Sequence, residues 1–255
     1  MIQPENPQRR AALALAEGLA VQLALLAALA ATGPLPLRAG MAALAIYALI
    51  AILVWRHATA PFGLASRVTS WRAGLIAVLP ALVLAPFRLD PPMCRAVLGL
   101  GLIALALDGL DGRIARRRGE ASGFGARFDM EVDAAFVLFL SALVFAGGRA
   151  GAWILAAGLL RYAWVGAARL WPLLRQPLPP SLLRKSVCVA VLLLLLLALV
   201  LPPSAAVIPS GAALGLLLLS FGRDLVWLLR GRGMAAGGIQ GVAAVYDGVP
   251  REESE

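Results

Sequence analysis

Four aspartates hold the residues of this chain best suited to chemistry. Asp108 and Asp111 stand three apart and Asp129 and Asp133 four apart, in the stretch D-G-L-D-G-R-I-A-R-R-R-G-E-A-S-G-F-G-A-R-F-D-M-E-V-D running from 108 to 133. At those separations each pair lies on one face of a helix. Glu131 lies between the second pair but points about 100° or more around the helix from each member, so it is left outside the set. Carboxylates gathered at one level repel unless a cation neutralises them. Oxygen donors without His or Cys favour a hard ion, Mg²⁺ or Mn²⁺, over zinc. Such an ion commonly positions and polarises a phosphate. Arg113, Arg116, Arg117, Arg118 and Arg127 lie between the pairs and supply phosphate-matching donors. Gly109, Gly112, Gly119, Gly123 and Gly125 let backbone approach a bulky ligand. The combination points to phosphoryl chemistry on a pyrophosphate donor, and a carboxylate not wholly committed to metal can serve as general base.

The elements that position these residues are apolar. The chain has 255 residues, of which 61% are hydrophobic and 15% charged, with mean hydropathy +0.85. Soluble domains use about 45–50% apolar residues. Apolar runs of roughly 17–22 residues alternate with charged or Pro-rich breaks, the pattern of an all-α polytopic membrane helix bundle. Leu/Ala-rich runs of this length do not suit strands. Acidic residues on such spans are expensive and mark ion or substrate sites.

Eight runs are expected. The first, at 11–32, contains Glu17 and Gln22, and the second covers 40–55. A secretory signal peptide is the rival reading of the first run, but its acidic and amide residues and the closeness of the second run favour a retained helix. The third ends near 87, the fourth starts near 93 and carries Asp108 and Asp111, and the fifth, 126–147, opens with Asp129 and Asp133. The remaining three cover 151–168, 186–201 and 210–229. His57, the one histidine, stands beside Trp55 and Arg56 at an interfacial edge and reads as a surface residue. Cys94 and Cys188 fit no ligand spacing, and no disulfide between them is expected. Asp224 is read as pairing with its neighbour Arg223.

The net charge is +9 and, apart from Lys185, every basic side chain that produces it is arginine. These charges fall in short loops, which suits membrane orientation and anionic ligands; no nucleic acid partner is expected. With eight spans, Arg38, Arg88, Arg95 and Arg149 fall on one side and nearly all the rest on the other. The second side, with the four aspartates, should face the cytosol.

The spacing Asp108-x2-Asp111-Gly112-x2-Ala115-Arg116-x8-Gly125-x3-Asp129-x3-Asp133 resembles the signature of the CDP-alcohol phosphotransferases at every fixed position. Thr69-x-x-Arg72 resembles the family's entry helix, with Ser66 where Asn is usual. The resemblance covers about 63–230, six spans, with the first two runs as an addition. It implies that Asp108, Asp111, Asp129 and Asp133 bind metal, and that Asp133 is also the general base. It further implies that Gly112 and Arg116 contact the CDP moiety, with Ser122 near the diphosphate. The reaction it implies is attack by an alcohol on the lipid-linked phosphate of CDP-diacylglycerol with release of CMP. A homodimer is a family expectation only.

Arg161, inside the sixth run, needs a partner: an anionic ligand or a site carboxylate. Lys185 is similar in position to a Lys-containing segment of phosphatidylglycerophosphate synthases. Arg72, Arg161 and Lys185 either hold the phosphate of an acceptor such as glycerol 3-phosphate or snorkel to the interface; the two readings stand level. Serine, inositol phosphate, choline and phosphatidylglycerol remain alternative acceptors. A membrane transporter is the rival from another class, though it would place its acidic residues nearer the bilayer midplane. The expected organisation is an extension at 1–62, a catalytic core at 63–232 and a flexible cytoplasmic tail at 233–255, in a bacterial cytoplasmic membrane.

Overall fold

A computed structural model describes residues 7–57, 63–85, 89–118, 123–176 and 182–246. The described residues are predominantly helical and include no strand. Its order is α1 (Pro7–Ala31), α2 (Leu37–His57), α3 (Leu64–Ile76), α4 (Leu79–Val83), α5 (Pro91–Arg118), α6 (Gly123–Ala146), α7 (Leu155–Leu170), α8 (Leu182–Val200) and α9 (Pro203–Tyr246). With α3 and α4 taken as one interrupted segment, this is the eight-segment membrane bundle that the apolar runs predict. The outer surface supports that reading, because large side chains such as Ile52, Ile103, Leu170, Ile208 and Leu219 are exposed on it. An apolar surface this extensive needs lipid to cover it.

Among the described residues, five helices, α1, α2, α5, α8 and α9, are long and apolar enough to cross a membrane. The other segments fall short for identifiable reasons. Helix α6 carries Asp129, Glu131 and Asp133 in its first half, and α7 has only 16 residues. The α3–α4 segment is polar over the first turns of α3 and broken between Ile76 and Leu79. Helix α3 nonetheless buries Val68, Thr69, Ser70, Arg72, Ala73, Gly74 and Ile76. It can afford Ser, Thr and Arg because protein, and not lipid, surrounds it.

Local chemistry sets the breaks. Pro80 follows Ile76 by four residues and has no N–H to return to its carbonyl. The helix therefore stops at Ile76 and resumes at Leu79. The carbonyl of Ala77, freed at the break, accepts a hydrogen bond from Gln22 Nε2 at 3.1 Å, and the same nitrogen donates to the Ala43 carbonyl at 2.7 Å. Asp90 caps α5, accepting from the Met93 N–H at 2.8 Å ahead of Pro91 and Pro92 at the first helical positions. Helix α6 closes with the Arg149 N–H reaching the Val144 carbonyl and the Gly148 N–H reaching Phe145, both at 2.9 Å. Gly148 there has φ +65°, a conformation that favours glycine. Helix α9 runs on to Tyr246, with no proline between Pro209 and Pro250 to interrupt it.

Packing places the site. Helix α3 lies against α1, α5 and α6, while α8 lies against α5, α6 and α9. Helices α5 and α6 meet α3 and α8 far more than each other. Their ends that carry the aspartates are thus held apart by what stands between them. The core beneath is apolar, with Phe136, Leu140 and Leu143 of α6 and Leu192, Leu195 and Leu196 of α8 all essentially inaccessible.

Candidate active site

The four aspartates converge on Arg72. Asp108 and Asp111, three residues apart on α5, are both buried, and Asp129 and Asp133, four apart on α6, are partly so. Arg72 rises from α3 between the two helices with a side chain only 1% exposed. Its Nη1 lies 3.1 Å from Asp108 Oδ1, 3.2 Å from Asp111 Oδ2 and 2.5 Å from Asp129 Oδ1. Its Nη2 donates to Asp133 Oδ1 at 2.5 Å. One guanidinium therefore joins two helices that hardly touch.

Other side chains complete the surround. Thr69, one turn before Arg72, stands with Oγ1 3.1 Å from Asp111 Oδ2 and also 3.1 Å from the Ala65 carbonyl, so its single proton is shared between them. Lys185 of α8 places Nζ 3.5 Å from Asp108 Oδ2 and is half exposed. Cys188, one turn further along, has its sulfur 3.9 Å from Asp133 Oδ2. Both cysteines are free thiols. Four carboxylates against Arg72 and Lys185 leave a formal excess of two negative charges.

That excess, and the donor set, fit a hard divalent cation. Asp108, Asp111 and Asp129 each offer a carboxylate oxygen, and the three lie within 4.8 Å of one another. Asp108 Oδ1 is buried and accepts no hydrogen bond, its approach to Arg72 being poorly aligned. An acceptor in that condition costs free energy until something pairs with it. Oxygen ligands alone, without imidazole or thiolate, suit Mg²⁺ or Mn²⁺.

The remaining predicted residues are distributed around this cluster. Gly112 continues α5 one residue past Asp111 and is half-buried. Arg116 lies on the last turns of α5, with its side chain outside the described residues, as is Ser122 altogether. Arg161 of α7 is not among the four aspartates; its Nη2 pairs with Glu131 Oε1 at 2.5 Å. Glu131, set apart by its angle on α6, thus has a use on the neighbouring face. Asp224 pairs with Arg184 of α8 at 3.4 Å, not with the adjacent Arg223, because neighbours in a helix point about 100° apart.

Two residues near the site escape any motif. Glu17 of α1 accepts from Arg67 and Trp71 of α3, and Gln22 of α1 serves the α3–α4 break. The signal for both was their cost: an acidic or amide side chain inside an apolar run requires a partner.

The family model for CDP-alcohol phosphatidyltransferase matches residues 62–221, from just before α3 into α9. Neither the comparison with curated proteins nor that with solved structures finds a match. The matched span contains every one of the four aspartates and Arg72, and it covers well over half of the chain, which therefore belongs to the CDP-alcohol phosphatidyltransferase family.

Proposed function

We propose that this protein transfers the phosphatidyl group of CDP-diacylglycerol to an alcohol acceptor, with glycerol 3-phosphate the favoured acceptor, releasing CMP on the cytosolic side of the membrane. The observation that carries the reading is the convergence of Asp108, Asp111, Asp129 and Asp133 on one point from two helices, in the register of the family motif.

The chemistry is a substitution at phosphorus. The acceptor oxygen forms a bond to the phosphorus that carries the diacylglycerol. The bond from that phosphorus to the oxygen of the cytidylyl phosphate breaks, and CMP leaves with the electron pair. A divalent ion held by Asp108, Asp111 and Asp129 would neutralise the diphosphate and the leaving CMP. Asp133 takes the acceptor's proton; of the four it is the one outside the compact three-oxygen group. Arg72 orients Asp133 through Nη2. Gly112 and Arg116 are assigned to the CDP moiety and Ser122 to its diphosphate, at the α5–α6 connection.

For the acceptor, Lys185 is the best placed cation, half exposed and 3.5 Å from Asp108. Arg161 stands one helix further out with Glu131 as its present partner. Arg72 has both terminal nitrogens on carboxylates, so gripping an acceptor phosphate as well requires it to exchange partners. An anionic acceptor suits this set of cations better than serine or choline does.

The test is CMP release by the purified protein in lipid nanodiscs with CDP-diacylglycerol and Mg²⁺, each candidate alcohol being supplied singly. Release with glycerol 3-phosphate alone is the expected result. Release with another alcohol moves the acceptor assignment, and silence with all of them, in protein that binds no CDP-diacylglycerol, removes the enzyme reading.

A further inference from the structure

Helix α3 has two opposite faces, and only one of them looks at the carboxylates. Thr69 and Arg72 belong to that face. Arg67, Ser70, Trp71 and Gly74 fall roughly half a turn away at about 100° per residue, and they meet α1. Glu17 of α1 takes hold of this second face with one carboxylate. It accepts from Arg67 Nη2 at 2.5 Å, from Arg67 Nε at 3.1 Å and from Trp71 Nε1 at 2.9 Å. Arg67 and Trp71 are four apart, so the grip spans a full turn of α3 and leaves it little freedom to rotate or slide.

The backbones close in beside it. A Cβ on Gly18 would stand 2.4 Å from the Ser70 carbonyl oxygen, and one on Gly74 would stand 2.1 Å from the Gly18 carbonyl oxygen. Such contact admits no side chain on either helix. Tyr47 of α2 donates its hydroxyl to the Leu15 carbonyl at 2.6 Å, which ties the second helix to the same place. Yet α1 and α2 lie outside the span matched by the family, which begins at 62.

We propose that Glu17 is a positioning residue for the transfer reaction: by gripping Arg67 and Trp71 it fixes the rotation and height of α3, and so sets Arg72 and Thr69 against the four aspartates. The added N-terminal helices are on this view a working part of the site and not a separable anchor. The inference rests on the proposed function for its consequence in turnover, but its geometry can be read without turnover.

The test uses the full chain in nanodiscs and a double-mutant cycle. Glu17→Gln and Trp71→Phe are made singly and each is combined with Arg72→Gln, or with Thr69→Val should Arg72→Gln not accumulate. Two quantities are read: the Kd of Mn²⁺, from the electron paramagnetic resonance of the free ion, and kcat for CMP release. Residues acting through one another are non-additive. Each single variant is expected to move the Mn²⁺ Kd by about threefold or more and to lower kcat by about tenfold, with both effects largely absent in the Arg72→Gln or Thr69→Val background. Equal effects in both backgrounds would show general loosening and overturn the proposal, as would no effect in either. A wild type that binds Mn²⁺ but releases no CMP defeats the reaction assigned above while the Mn²⁺ cycle still decides the role of Glu17. A wild type that does neither defeats both.

Discussion

Arg72 Nη2 donates to Asp133 Oδ1 at 2.5 Å, while the other terminal nitrogen of the same guanidinium faces Asp108, Asp111 and Asp129. The residue assigned as base and the residue that compensates the proposed metal ligands are thereby two ends of one contact. Removing the cation strands four carboxylates together. Breaking a buried ion pair from one side costs about 3–5 kcal/mol. Arg72→Gln should therefore lower the thermal midpoint sharply in metal-free buffer and recover part of the loss when Mg²⁺ is added. Unfolding scans in detergent with and without Mg²⁺ check this; a variant as stable as wild type in chelator would contradict the arrangement.

Asp133→Asn keeps shape and removes the proton acceptor. General-base catalysis is worth about a hundred- to ten-thousand-fold, and a fall of that order in kcat is expected with CDP-diacylglycerol binding retained. Single-turnover CMP release beside a donor-binding measurement separates the two. Full turnover in this variant would falsify the assigned base.

Metal should stabilise the fold as well as the reaction. An ion present at a hundred times its Kd adds about 2.7 kcal/mol to the state that binds it. Wild type should lose thermal stability on chelation, and Asp108→Asn combined with Asp111→Asn should become indifferent to it. Calorimetry or fluorescence melting, with and without chelator, is sufficient; a double variant still responding to Mg²⁺ would place the ion elsewhere.

Arg161 offers a clean distinction between recognition and packing. If it meets an acceptor phosphate during turnover, Arg161→Ala should raise KM for glycerol 3-phosphate about tenfold and leave kcat near wild type, the mark of lost uniform binding. Steady-state kinetics with the acceptor varied decides. A proportional fall in kcat without a change in KM would assign Arg161 to the structure of α6 and α7 through Glu131.

The α1–α3 crossing has no room for a methyl group. Gly74→Ala should cost about 1–3 kcal/mol from overpacking, read as a lowered thermal midpoint together with reduced CMP release. An unchanged midpoint would mean that the two backbones do not approach as closely as 2.1 Å from the would-be Cβ to the Gly18 carbonyl implies.

The motif was legible because its chemistry is local. Separations of three and four put Asp108 with Asp111 and Asp129 with Asp133 before any tertiary structure is known, and the apolar runs announce the bundle. What periodicity does not carry is which helix comes between two others. Nothing in the spacing says that Arg72 bridges α5 and α6, that Glu131 serves Arg161 across 30 residues, or that Asp224 turns from Arg223 to Arg184, 40 residues away. These are choices among several opposite charges of similar sequence merit, made by helix packing. The interruption at Ala77 was also hidden, since Pro80 sits in a run whose apolar character continues on both sides. Glu17 and Gln22 were visible as anomalies in the first run, but their partners on α3, α2 and the break were not.

The clasp between Glu17 and α3 also bears on how the chain is built. Synthesis delivers α1 and α2 first, then α3, and only afterwards the helices that carry the four aspartates. When α3 enters the bilayer, Arg72 has none of its eventual carboxylates to meet, and an unaccompanied arginine there is costly. Glu17 is already present one helix away, binding the same short, polar segment through Arg67 and Trp71. On that order of appearance, the first hairpin would offer α3, short and polar for a membrane segment, a berth until α5 and α6 arrive.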